Sequence, residues 1–297
     1  MGVFQPYRSR GSHAAPAAVR RVLPWLLALS LGLLLGGCSR FGLIYNRLDT
    51  LVGMQIRPFV DPTPAQQADF DLRFGQLWLW HRQTQMPLYA EDLRKLAALS
   101  FQPLDVDEVG ALAEQTREHL RRLLDKACEA LAPTIASLND AQVGDILAET
   151  TKKVAKQGEE ARKFDDDAWR EQRAEEAIDR LDEWAGSVTA EQRQRIKEWA
   201  AGLVRPPVTG EDANLEEGLQ PIRDLLAQRG EPDFADRLRG FMLESSGAGD
   251  SDEERQAARQ MLADLSSLAN DRQRRHFQKR LESLASNLDE IAAQKPR

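Results

Sequence analysis

Thr63-Pro64-Ala65-Gln66-Gln67-Ala68-Asp69-Phe70-Asp71-Leu72-Arg73-Phe74-Gly75-Gln76-Leu77-Trp78 reads as a helix from its first residue. Thr63 is a capping residue, and Pro64 suits the first helical position because the N–H it lacks would have no partner there. Gln66, three places beyond the cap, can return a hydrogen bond to the cap backbone. Phe70, Phe74, Leu77 and Trp78 recur at three- and four-residue steps, the spacing of a buried helical stripe. This helix is expected to run from Pro64 to Leu99, with Pro87 bending it or dividing it in two.

Working outward, the same period recurs and no period-2 strand is evident. Val109, Leu112, Leu120, Leu123, Leu124 and Leu131 predict a helix over 105–132, ending near Pro133. Asn139 to Gly186 contains no proline and is dense in alternating charge, as in one arm of an antiparallel bundle. Its apolar seam weakens around Lys156 to Arg173, so a break is expected near Gly158. Thr189 caps a helix over 190–204, and Pro206-Pro207 with Gly210 is the clearest linker. Further helices are expected over 215–228 and 232–244, then one or two from Asp252 to about Leu288. Before the quoted stretch, Tyr45, Leu48, Leu51, Val52, Ile56 and Phe59 suggest a short apolar helix. The fold class is an all-α, elongated multi-helix bundle with long antiparallel helices. Low aromatic content and richness in Ala, Leu, Glu, Arg and Gln favour it.

The N-terminus carries a different signal. Arg8, Arg10, Arg20 and Arg21 precede an apolar run of 13 residues, Leu23 to Leu35, and Gly36-Gly37-Cys38-Ser39 closes it. A membrane span needs about 20 residues, so the layout is that of an export signal. With Cys38 behind two glycines it resembles a bacterial lipoprotein signal, which implies cleavage before Cys38 and acylation of its thiol. Ser39 resembles the residue that permits transfer to the outer membrane. The expected divisions are a signal peptide at 1–37 and a lipidated membrane-proximal segment with a short helix at 38–62. A main bundle at 63–205, a linker at 206–214 and a C-terminal helical region at 215–297 packed on the bundle follow.

Removing 1–37 leaves 36 basic and 47 acidic side chains, a formal charge of −11. Such a surface disfavours nucleic acid, and none is expected as a partner. Cys128 would be the only remaining thiol, and its apolar helical surroundings suggest a buried small residue. Outside the signal only His81, His119 and His276 remain, without the close spacing of a zinc site. Asp165-Asp166-Asp167 lacks the glycine and closing Glu of a calcium loop. No phosphate-binding glycine loop, dinucleotide fingerprint or serine elbow occurs. No cofactor, metal or catalytic residue is assigned.

Trp80-His81-Arg82, with Trp78, Pro87 and Tyr89, is the most distinctive polar-aromatic group. Helical spacing places Trp78 beside His81 and Arg82, and likewise Tyr45 and Asn46 beside Asp49. These nine residues are the candidate site, either a structural junction or a partner-binding patch, with Arg82 pairing with Asp49 or Asp92. Arg272, Arg274, Arg275, Lys279 and Arg280, around His276, make the last helix locally basic.

Leu43-Ile44-Tyr45-Asn46-Arg47-Leu48-Asp49 and Trp80-His81-Arg82-Gln83-Thr84-Gln85-Met86-Pro87-Leu88-Tyr89 resemble a family of proteobacterial outer-membrane lipoproteins of unknown function. That family's pattern has Glu-Leu where this chain has Gln85-Met86. A second resemblance lies in Pro62-Thr63-Pro64-Ala65-Gln66, Leu138-Asn139-Asp140-Ala141-Gln142 and Val188-Thr189-Ala190-Glu191-Gln192. These are similar to the Leu-Thr-x-x-Gln signature of small helical periplasmic chaperones, although capping alone accounts for them. The first resemblance implies a helical lipoprotein and brings no established activity. The expected function is a non-enzymatic scaffold or adaptor at the inner leaflet of the outer membrane, facing the periplasm and held by acyl chains on Cys38. An envelope protein would be its partner. The alternative is a client-binding chaperone or envelope-stress protein.

Overall fold

The computed structural model describes residues 45, 48–208, 212–247 and 251–294. Residues 1–37, read from the sequence as an export signal, lie outside the described residues with Cys38 and Asn46, as does the side chain of Asp49. The helices are α1 (Leu48–Ile56), α2 (Pro64–Trp80), α3 (Met86–Leu99), α4 (Val106–Ala136), α5 (Asp140–Arg162) and α6 (Asp166–Ala185). They continue with α7 (Ala190–Ala201), α8 (Asp212–Ala227), α9 (Phe234–Gly247), α10 (Asp252–Ser267) and α11 (Asp271–Ala293). Among the described residues there is no strand, and none of the helices is long and apolar enough to cross a membrane.

The local chemistry explains most boundaries. Thr63, Asp105, Asn139, Thr189, Ser251 and Asn270 each close a reciprocal capping box with the residue three beyond. Three sequence expectations are corrected in position. The Pro64–Leu99 helix is divided by a π turn, His81–Gln85, placed before Pro87. Met86 N–H reaches back to the His81 carbonyl, and Pro87 has no N–H with which to resume the α-helical ladder at once. Helix α4 continues through Pro133 to Ala136, because proline disturbs only the turn before it and that turn is already formed. The break in the charged segment falls at 163–165, since Asp165 caps α6; Gly158 is a buried position within α5. Asp166 and Asp167 thus occupy a helix first turn, where acids favour the backbone dipole.

The bundle closes end on end. Helix α11 runs along α3, and Tyr45, Met86, Ala90, Ala285, Leu288 and Ile291 form their shared core. Helices α9 and α10 pack on α4, α8 packs on α5, and α7 sits between α6 and α10. The last of these contacts centres on Ala174, Ile178, Ile196, Ala200, Met261 and Leu265. The helices after the Pro206-Pro207 segment are therefore built into the same bundle. Each large aliphatic side chain buried this way contributes about 1.5–3 kcal/mol.

Candidate functional site

The polar-aromatic group condenses around the π turn. An extra residue in one turn rotates the register, and His81, Arg82, Gln85 and Met86 all become buried. Tyr45, from the segment before α1, lies against the Trp78 ring at a centroid distance of 4.0 Å. Its hydroxyl is 3.3 Å from His81 Nδ1. Trp78 stacks near His81 at 5.7 Å, Tyr89 meets His81 edge-on at 5.7 Å, and Trp80 lies 6.4 Å from it. Phe70 and Phe74 extend the stack along α2.

Burial dominates the electrostatics. It lowers His81 from 6.5 to about 4, so the imidazole is neutral near pH 7, and it raises the Tyr45 hydroxyl well above its usual range. Tyr89 is pushed up to about 12. Arg82 is 6% exposed, and its Nε has no hydrogen-bond partner; the Gln85 Oε1 is likewise unpaired. Pro87 is exposed at the rim. The expected pairing of Arg82 with Asp92 does not form. Asp92 instead accepts from His119 Nε2 at 2.7 Å and pairs with Lys95 at 3.3 Å, tying α3 to α4. His119 was not among the expected site residues, and its 27-residue separation from Asp92 gave no local signal. The alternative partner, the Asp49 carboxylate, lies outside the described side chains.

The helix-start glutamines do more than cap. Gln66 and Gln142 face one another. Gln142 Nε2 donates to Gln66 Oε1 at 2.8 Å and to the Asp61 carbonyl at 2.9 Å. Gln66 Nε2 donates to Gln142 Oε1 at 3.1 Å and to the Ser137 carbonyl at 2.8 Å. A second clasp joins Gln192 and Gln273, with Gln273 Nε2 donating to Gln192 Oε1 and to the Ser187 carbonyl, both at 2.8 Å. Each carbonyl bonded here belongs to the residue two before the opposite cap. The glutamine oxygens meanwhile accept the N–H of their own caps. Glutamate could close the box but has no donor for the cross-link. A fourth start, Asn270-Asp271-Arg272-Gln273, is not among the three read from the sequence, and the cap-x-x-Gln spacing alone finds it.

Elsewhere, Cys128 is buried, and burial raises its thiol to about 11, so it is held as an unreactive thiol. Among the described residues no three His, Cys, Asp or Glu side chains gather into a metal-binding group. On α11, Arg274 turns inward to the carbonyls of Ser100, Ser266 and Ala269. Arg280 pairs with Glu183 at 2.8 Å and lies over the Trp184 ring.

The chain matches no curated protein and no solved structure. The profile of a family of unknown function, DUF6279, matches residues 58–248, from the segment before α2 to the end of α9. That span is more than half of the chain, and the protein belongs to this family.

Proposed function

We propose that this protein is a lipid-anchored, periplasm-facing scaffold or adaptor of the bacterial cell envelope, non-enzymatic, which presents helical faces to a protein partner. The observation that carries the reading is the burial of Tyr45, which is only 4% exposed. It lies seven positions after Cys38 in the sequence. Seven residues reach at most about 25 Å when extended. Acylation at Cys38 would thus hold the bundle close to the bilayer, with two or more acyl chains giving stable attachment. The neutral His81, packed among aromatic rings, fits a structural junction between that segment and the bundle.

The glutamine clasps bear on the chaperone alternative. In this chain the cap-x-x-Gln starts are spent on bonds within the fold, which supports a packing role for the resemblance. The test is mass spectrometry of the N-terminal peptide from cells, with Cys38→Ala as control, combined with in-cell photo-crosslinking from the exposed Gln83. A lipid-modified Cys38 peptide and one dominant crosslinked protein are expected. An unmodified Cys38 would overturn the anchor, and many unrelated unfolded clients would replace the adaptor with the chaperone.

A further inference from the structure

Helix α11 starts against the usual electrostatic rule. The dipole of a helix favours acids in its first turn, and α4, α6 and α10 each carry two or more there. Helix α11 has Asp271 followed by Arg272, Arg274 and Arg275 within its first five residues. The structure accounts for two of its five cations after residue 270: Arg274 bonds three carbonyls, and Arg280 pairs with Glu183. Arg272, Arg275 and Lys279 are exposed and make no ion pair or hydrogen bond among the described residues. Their i, i+3, i+7 spacing puts them on one face, opposite the buried Gln273, Leu281, Leu284 and Leu288. This face works against the helix dipole and returns no contact within the fold, the kind of local conflict that marks a functional surface.

We infer that Arg272, Arg275 and Lys279 form a docking stripe for an acidic segment of a partner protein. The inference rests on the adaptor reading and names the chemistry of its partner. The stripe is about 10 Å long, which suits two or three carboxylates on one turn-spaced face. Asp271 and Glu282 bound it in sequence, and the chain as a whole carries −7. A planar anionic membrane would meet that surrounding negative charge, whereas a narrow acidic segment would meet only the cations.

The test uses the mature chain and a fluorescent decaglutamate peptide, read by anisotropy. The comparison is a triple charge reversal, Arg272→Glu with Arg275→Glu and Lys279→Glu. Salt-sensitive binding that weakens about tenfold or more in the triple variant is expected. Thermal stability should be unchanged or raised, because acids suit the first turn of a helix. Equal peptide binding by both proteins, or no binding by either, would overturn the stripe. A triple variant that loses stability would also overturn it, by making the cations structural. Selective loss of co-sedimentation with phosphatidylglycerol vesicles, without loss of peptide binding, would assign the face to lipid and overturn the protein partner. In cells, a dominant crosslink from Gln83 with none from position 275 would sink the stripe and leave the adaptor standing.

Discussion

In the first glutamine clasp Gln66 is partly open to solvent and Gln142 is 6% exposed, whereas in the second Gln192 and Gln273 are 0% and 1% exposed. Both clasps join two capping boxes through the same amide-to-amide bonds, and both begin helices that the sequence marks in the same way. Their surroundings differ. Arg229 covers the first from the side, donating to the Leu138 carbonyl at 2.7 Å and pairing with Asp140 at 2.5 Å. The second is sealed between α6, α7, α10 and α11, where Arg274 donates to the equivalent carbonyl, that of Ala269, at 3.1 Å. The same amide-to-amide pairing therefore carries a different penalty when broken. Water can replace a lost partner at the first clasp and cannot at the second.

The largest expected effect tests that difference directly. Gln192→Leu removes a cap bond and strands a buried amide, and should cost about 2–4 kcal/mol of unfolding free energy. Gln66→Leu should cost only about 1 kcal/mol, near the value of the cap alone. Urea denaturation of the two variants measures both, and equal losses would show that burial does not separate the clasps.

Acid distinguishes the clasps from the aromatic junction. The amides do not titrate, whereas His81 has a folded-state value of about 4 against 6.5 in the unfolded chain. The unfolded state thus binds the proton more readily between those values. The stabilisation from His81 is complete above pH 6.5 and is lost as pH falls toward 4, amounting to about 2–3 kcal/mol. Denaturation of wild type and His81→Gln from pH 7 to pH 4 checks this, and the variant should show a flatter profile. Parallel profiles would place the acid sensitivity elsewhere.

A smaller effect is expected at the edge of the second clasp. Gly186 ends α6 with φ +73°, and a Cβ there would lie 2.8 Å from His276 Nδ1. Gly186→Ala should cost about 1–2 kcal/mol through the left-handed backbone alone. His276→Ala in the same chain should recover any part due to the ring contact. At Asp264, whose carboxyl the Arg195 and Gln260 bonds hold below 3.8, the effect should be smaller still. The group is partly exposed, so Asp264→Asn should trim only a minor share of the stability lost as pH falls below about 4.

The sequence was legible wherever the determining interactions are local. Capping at Thr63, Asn139 and Thr189, the stripe through Phe70, Phe74, Leu77 and Trp78, and the all-helical composition each act within a few residues. Expectations failed where two local signals competed. The weak seam near Gly158 suggested a break that the Asp165 cap placed later, and the bend or division suggested at Pro87 is a division, set at a π turn just upstream. Tyr45, Trp78, His81 and Tyr89 could be named from their character but not arranged, because their contacts depend on the register change at that turn.

From its sequence alone this protein determined its helices, their caps and an apolar face for most of them, since those depend on backbone geometry and periodicity. Only the tertiary structure decided that four cap glutamines would join in pairs across 76 and 81 residues, and that His119 would take Asp92 from Arg82. It also decided which cations of α11 turn inward. Such pairings are set by which helix ends meet once the apolar faces are buried, and no spacing along the chain encodes them.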